Sequence, residues 1–112
     1  MKEIKAIIQP HMLSKVIDAL QSVEDLPGIT VSEVRGFGRN RARAARNKVV
    51  EDYIEYARKS KLEIVVPDSL LDRVVQTITQ NARTGHPGDG LIFVSDVGDV
   101  FGIRTGERRT DA

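Results

Sequence analysis

The residues best suited to chemistry sit in two glycine-bearing segments, and what they suit is the grip of a phosphate. Gly36-Phe37-Gly38-Arg39 leaves an extended stretch. Two glycines let a backbone turn sharply and approach a ligand closely. Peptide N–H groups in such a turn can form an anion nest, to which Arg39 adds a charged fork. The same residues also read as a strand-ending turn with a solvated arginine. Thr84-Gly85-His86-Pro87-Gly88-Asp89-Gly90 is the second segment. It lacks the Lys-Ser/Thr that ends a Walker loop. It still sets the Gly88 and Gly90 amides just before a strand, so a phosphate-holding loop and a plain connection both fit. Ile103 to Arg109 form a polar, charged stretch expected to be a tail. Within it Arg104 suits a phosphate, while Arg108 and Arg109 suit solvent.

Other chemistries find little support. There is no Ser-His-Asp or Cys-His set and no carboxylate pair at evident acid–base spacing, so no catalytic residue is assigned and no enzyme is expected. Cysteine is absent, which removes disulfides, thiolate nucleophiles and thiolate zinc ligands. His11 and His86 cannot alone build a zinc cage, and each reads as solvent-facing, so no metal site is assigned. Seventeen Lys+Arg against sixteen Asp+Glu leave a net charge of +1, so no global field argues for nucleic acid. No apolar run approaches the roughly 20 residues of a membrane helix, and Met1-Lys2-Glu3-Ile4 is unlike a signal peptide. A cytoplasmic, non-spanning protein is the expectation.

A chain of 112 residues with 40% apolar content has room for one core, hence a single domain over 1–112. Met1 to Gln9 alternates as a strand, with Ile4, Ala6 and Ile8 on one face, and Pro10 ends it. Leu13, Val16, Ile17, Leu20 and Val23 recur at helical spacing over roughly 12–24. Pro27-Gly28 turns the chain into a second strand, Ile29 to Val34. Lys61 to Val66 is a third strand. Pro67-Asp68 opens a second helix, with Asp68 as its expected cap, Asp72 near its positive end, and Leu71, Val74, Val75 and Ile78 as its buried stripe. Leu91 to Val97 is the fourth strand. The order β-α-β-β-α-β predicts an α+β, ferredoxin-like sandwich, two helices on one face of a four-stranded antiparallel sheet.

Two features reach beyond one chain. Ile7, Val65 and Phe93 point opposite to Ile8, Val66 and Val94, so both sheet faces carry apolar residues although two helices cover only one. A bare second face would exceed the patch that monomers tolerate, which predicts a homo-oligomer. The second feature is a long insertion, 39–60, in the central hairpin. Arg39, Arg41, Arg43, Arg46 and Lys48 run without an acidic residue; Glu51, Asp52, Tyr53, Glu55 and Tyr56 follow. Loops of this length are usually functional or disordered. The segment fits a docking finger for an acidic partner, a membrane-adjacent surface or RNA, and equally a solvated arm made helical by Ala42, Ala44 and Ala45. No aromatic lies among the arginines, so a base-stacking platform is not expected.

Taken in order, these motifs resemble the PII signal-protein family over most of the chain. Ile4-Lys5-Ala6-Ile7-Ile8-Gln9-Pro10 resembles the family's opening strand, and Thr30 to Arg39 its second strand and loop start. Lys61 to Asp68 resembles the third strand, Thr84-Gly85 with Gly88-Asp89-Gly90 the B-loop, and Ile103-Arg104-Thr105-Gly106-Glu107 the C-terminal signature. The resemblance implies a homotrimer with three adenine-nucleotide sites in the clefts between subunits. ATP, ADP or AMP would be exchangeable ligands there, with magnesium accompanying ATP, and no cofactor would be tightly bound. Gly36, Phe37, Gly38 and Arg39 would line the cleft, Gly88, Asp89 and Gly90 would hold phosphates through backbone donors, and Arg104 would add charge. Thr30, Glu63 and Val65 would lie near the adenine. The T-loop, 39–60 here, would dock a transporter, enzyme or regulator through Arg41, Arg43, Arg46, Lys48 and Tyr53, with Asn40 and Lys59 at its base.

Departures from the family pattern sharpen the expectation. Leu91 stands where the B-loop usually continues with lysine, and Gly102 where a second phosphate-contacting arginine is common. A charge-assisted contact is worth about 1.5–3 kcal/mol, so ATP should lose ground to ADP or AMP. Asn40 replaces the glutamine that arranges magnesium and 2-oxoglutarate, and Asp52 occupies the place of the modified tyrosine. Rival readings are a trimeric metal-tolerance-type or transporter-associated regulator sensing another ligand, a phosphate-transfer enzyme on the same sandwich, and an RNA-binding module.

Overall fold

The computed structural model describes residues 1–36 and 57–112. Strands β1 (Lys2–Ile8), β2 (Thr30–Gly36), β3 (Ala57–Val66) and β4 (Gly90–Asp96) form an antiparallel sheet in the order β2-β3-β1-β4. Helices α1 (Leu13–Gln21) and α2 (Leu71–Ala82) supply the crossovers. This is the ferredoxin-like sandwich that the alternation and helical spacing predict.

The core follows from the two periodicities. Ile4, Ala6 and Ile8 of β1 and Leu62, Ile64 and Val66 of β3 are buried, meeting Val16, Leu20 and Val23 from the first helical segment and Val74, Ile78 and Ala82 of α2. Burying one such aliphatic side chain is worth about 1.5–3 kcal/mol, so these positions decide which face of the sheet the helices cover. Both helices lie over the central strands, and the edges stay bare. Val31 and Val94 therefore remain exposed although their register partners, Leu62 and Ile4, are buried.

Several boundaries differ from expectation. Each helix opens through a 3-10 turn, Pro10–Met12 before α1 and Asp68–Leu70 before α2. Asp68 does not cap α2: its carboxylate lies 3.3 Å from the Met1 ammonium instead. The N-terminus of β1 reaches the same spot, and a full positive charge outcompetes an amide dipole for the carboxylate. Asp72 does lie in the first turn of α2. The third strand starts at Ala57, not Lys61, so residues 57–60 of the expected insertion belong to the sheet. Val34, Arg35 and Gly36 pair with Lys59, Arg58 and Ala57, and the β2–β3 hairpin continues as an arm past the end of β1. Polar side chains at Arg58, Lys59 and Ser60 hide that extension from a hydrophobicity pattern.

The C-terminal stretch is also more ordered than a tail. Val100–Phe101 (β5) pairs with Arg108–Arg109 (β6). Arg108 lies 5.4 Å from the Phe101 ring centroid, and its Nε is 3.2 Å from Asp99. The Gly102 N–H donates to the Glu107 carbonyl at 2.9 Å and closes the hairpin. Both arginines are exposed, yet each has a partner, Asp111 in the case of Arg109. Cation–π and ion-pair contacts at exposed sites are each worth no more than about 1 kcal/mol. They orient the hairpin rather than stabilise the fold.

Candidate ligand-binding face

Strand parity determines which residues share the helix-free face. Thr30, Ser32 and Val34 of β2 are in register with Glu63, Lys61 and Lys59 of β3, and the odd-numbered β3 residues, Val65 included, oppose the core side. Lys5 pairs with Glu63, and Ile7 with Lys61. Lys61 Nζ lies 3.6 Å from Glu63. The Ser32 hydroxyl is buried and without a hydrogen-bond partner among the described residues. A buried, unmatched hydroxyl costs free energy and favours a ligand that satisfies it. The predicted trio Thr30, Glu63 and Val65 thus lies on one face, joined by Ser32, Lys61 and Ile7. These three share the face but are not among the site residues singled out from the sequence. Strict alternation from Thr30 and Glu63 is the signal that finds Ser32 and Lys61.

The 84–90 segment reaches one end of this face and is tightly braced. Asp89 is its staple: its carboxylate accepts from the Thr84 hydroxyl, from the Thr84 N–H at 2.9 Å and from the Gly85 N–H at 3.0 Å. The Thr84 hydroxyl accepts in turn from the His86 N–H at 3.2 Å. These bonds, the Thr84 hydroxyl foremost, hold the Asp89 carboxyl below its ordinary pKa of 3.8. The Asp89 side chain is therefore spent on the loop itself, which leaves backbone amides as the segment's means of holding an anion. Gly85, Gly88 and Gly90 all have positive φ, the region that favours glycine.

The segment is tied to the base of the β2–β3 arm. Lys59 Nζ donates to the Gly88 carbonyl at 2.8 Å. One chain thereby joins the predicted loop-base lysine to the predicted phosphate loop. Gly36 closes the ladder opposite Ala57, as the final residue of β2. Arg104 is exposed in the β5–β6 turn, and no hydrogen bond or ion pair among the described residues links it to Gly88–Gly90. Phe37, Gly38, Arg39 and Asn40 lie outside the described residues. So do the docking-loop residues Arg41, Arg43, Arg46, Lys48 and Tyr53. Among the described residues no group of three or more His, Asp or Glu is placed to hold a metal, and no helix is long and apolar enough to cross a membrane.

Comparison with known proteins settles which family builds such a face. The family model for nitrogen regulatory protein P-II matches residues 1–107. The P-II protein of Nostoc punctiforme is 48% identical over 112 residues, covering 100% of this chain and 99% of its own length. That of Bradyrhizobium diazoefficiens is 46% identical with the same coverage. Nitrogen regulatory protein P-II 1 of Escherichia coli is 48% identical over 107 residues, 96% of this chain and 95% of its own. The chain belongs to the nitrogen regulatory protein P-II family. Its role is accordingly that of a PII-type signal-transduction protein, and P-II proteins are regulators rather than enzymes. A metal-tolerance-type protein is not favoured by a match of this extent.

Proposed function

We propose that this P-II protein is a cytoplasmic homotrimer. It binds adenine nucleotides in the clefts between subunits and uses the state of its long loop to regulate a transporter or enzyme, within nitrogen metabolism as its relatives' names suggest. The observation that carries the reading is the Lys59–Gly88 bond. It links the braced 84–90 loop to the strand that enters the long loop. A ligand whose phosphates displace or reinforce that bond changes the stability of two loop arrangements, which is how a binding event becomes a signal.

The described residues divide the work between them. Half-buried Ser32, Glu63 and Val65, with exposed Thr30 beside them, offer a face for a base, with a hydroxyl to satisfy. Amides of Gly88, Asp89 and Gly90 would meet phosphate oxygens, in a loop that Asp89 holds rigid before any ligand arrives. Pre-organisation of this kind lowers the ordering cost of binding. Arg104 would come from the neighbouring subunit, since nothing ties it to the loop of its own chain. Gly36, Phe37, Gly38, Arg39 and Asn40 would close the cleft.

Leu91 and Gly102 set the preference. Neither carries charge, and Leu91 is 65% exposed beside the loop. ATP should therefore bind no more tightly than ADP or AMP in calorimetry on the full chain. Leu91→Lys should improve ATP over ADP by about tenfold, the worth of one charge-assisted contact. Binding of ATP far tighter than of ADP and AMP in the unaltered protein contradicts this reading of the cleft. Failure of all three nucleotides to bind removes it.

A further inference from the structure

The helix-side surface of the β2–β3 arm carries an arrangement that the nucleotide face does not use. Arg35 and Arg58 are register partners there. Registered residues share a face with Cβ atoms about 4.5–5.5 Å apart, where like charges repel. Parity with Leu62 and Ile64 sets both arginines on the core side of the sheet plane, past the end of β1, whereas Lys59 faces the other way. Both border a cavity of about 310 Å³, with Pro10 as its ledge, buried Ser60 beneath, and Glu33, Val34 and Lys59 completing its lining.

Two guanidiniums on one cavity make a fork for an oxyanion, and planar bidentate donors favour phosphate over a halide. The volume is at the small end of ligand pockets, which run from about 300 to 1,000 Å³. Among the described residues no aromatic lines it, so these offer nothing on which a nucleobase would stack. We propose that Arg35 and Arg58 form a second anion site, taking a phosphate dianion carried free or as a small monoester. Its occupancy neutralises the repulsion between the two arginines and favours the last rungs of the ladder, Arg35 with Arg58 and Gly36 with Ala57. Those rungs frame the two ends of the long loop. The two arginines lie on the opposite side of the arm from the adenine face, with Val34 and Lys59 reaching the cavity's edge from that face; the site does not depend on the nucleotide reading.

The test is an NMR titration of the full chain with glycerol 3-phosphate, and separately with inorganic phosphate, without nucleotide. Saturable shifts are expected at the Nε–H groups of Arg35 and Arg58 and at the Ser60 amide. Arg58→Gln should weaken binding about tenfold, as expected for one lost charge-assisted contact. Glu33→Gln should tighten it by removing the negative charge in the lining. Tighter binding of the monoester assigns the rest of the cavity to its alcohol part; equal binding assigns the site to the oxyanion alone. Shifts confined to Gly88 and Gly90, or affinity unchanged in both Arg35→Gln and Arg58→Gln, overturn the proposal while leaving the nucleotide face standing.

Discussion

A methyl group added to Gly90 would lie 1.8 Å from the Ile7 carbonyl oxygen, and φ there is +114°. Neither the contact nor the conformation suits a side chain, because β4 begins by folding its backbone directly onto β1. Gly90→Ala should cost about 3 kcal/mol in denaturant unfolding. Gly28→Ala, with open space around it, should stay within about 0.5 kcal/mol. Asp89 makes a prediction of a different kind. Its carboxyl is held below 3.8, so the bracing it provides is complete above that value and is lost as pH falls through the lower, folded-state one. A carbon-detected titration should therefore place Asp89 below the ordinary carboxylate range in the unaltered protein and return it toward 3.8 in Thr84→Val. An unmoved Asp89 in that variant would mean the Thr84 hydroxyl is not the cause. The Lys2–Asp96 pair has the complementary pattern, the lysine raised and the carboxylate lowered, so it persists from acid to strongly alkaline pH.

Secondary-structure elements were legible to the extent that apolar residues marked them. Strand β1 and the cores of β3 and both helices alternate or recur as aliphatic sequences should. Ile78 on α2, 1% exposed, reports on this directly: Ile78→Ala should lose about 2–5 kcal/mol, measured as a fall in the denaturation midpoint with an unchanged slope. A loss below 1 kcal/mol would mean that α2 is not packed where the structure has it. The first four residues of β3 and the β5–β6 hairpin were not legible. The side chains at 57–60 are charged or small, and β5 is only two residues long, too short to show an alternation; what holds both is backbone pairing with a partner strand, which leaves little hydropathy trace. Asp68 was misread for a related reason. Its position before a helix is that of a cap, but the competing ammonium comes from the far end of the chain's first strand.

For the molecule as a whole, the uncovered surface decides what the single chain leaves unfinished. Leu91 and Phe93 are 65% and 53% exposed on the face away from the helices, and Ile103 projects fully at the tip of the C-terminal hairpin. An apolar set of this size on a regulator of 12.4 kDa fits burial between copies. Phe93→Asp sets a charge in the middle of that face. Sedimentation should show the unaltered protein as a trimer and Phe93→Asp as smaller species, with helix content unchanged by circular dichroism. A trimer that survives Phe93→Asp would place the interface elsewhere. On the proposed function, nucleotide binding should fall together with the oligomer.

Read alone, the amino-acid order determined the sandwich, its aliphatic core, the two glycine segments and the family they resemble, because those depend on local periodicity and on turns that few residues permit. Only the folded chain decided that Asp89 braces its own loop, that Lys59 reaches Gly88, that Ser32 joins Thr30 and Glu63, and that Arg35 faces Arg58. The Asp89 brace depends on a loop conformation that its residue types permit but do not dictate, and the other three are meetings of residues far apart in sequence or a matter of strand register. Register is set when two strands bury the same face together, an event that no single segment encodes.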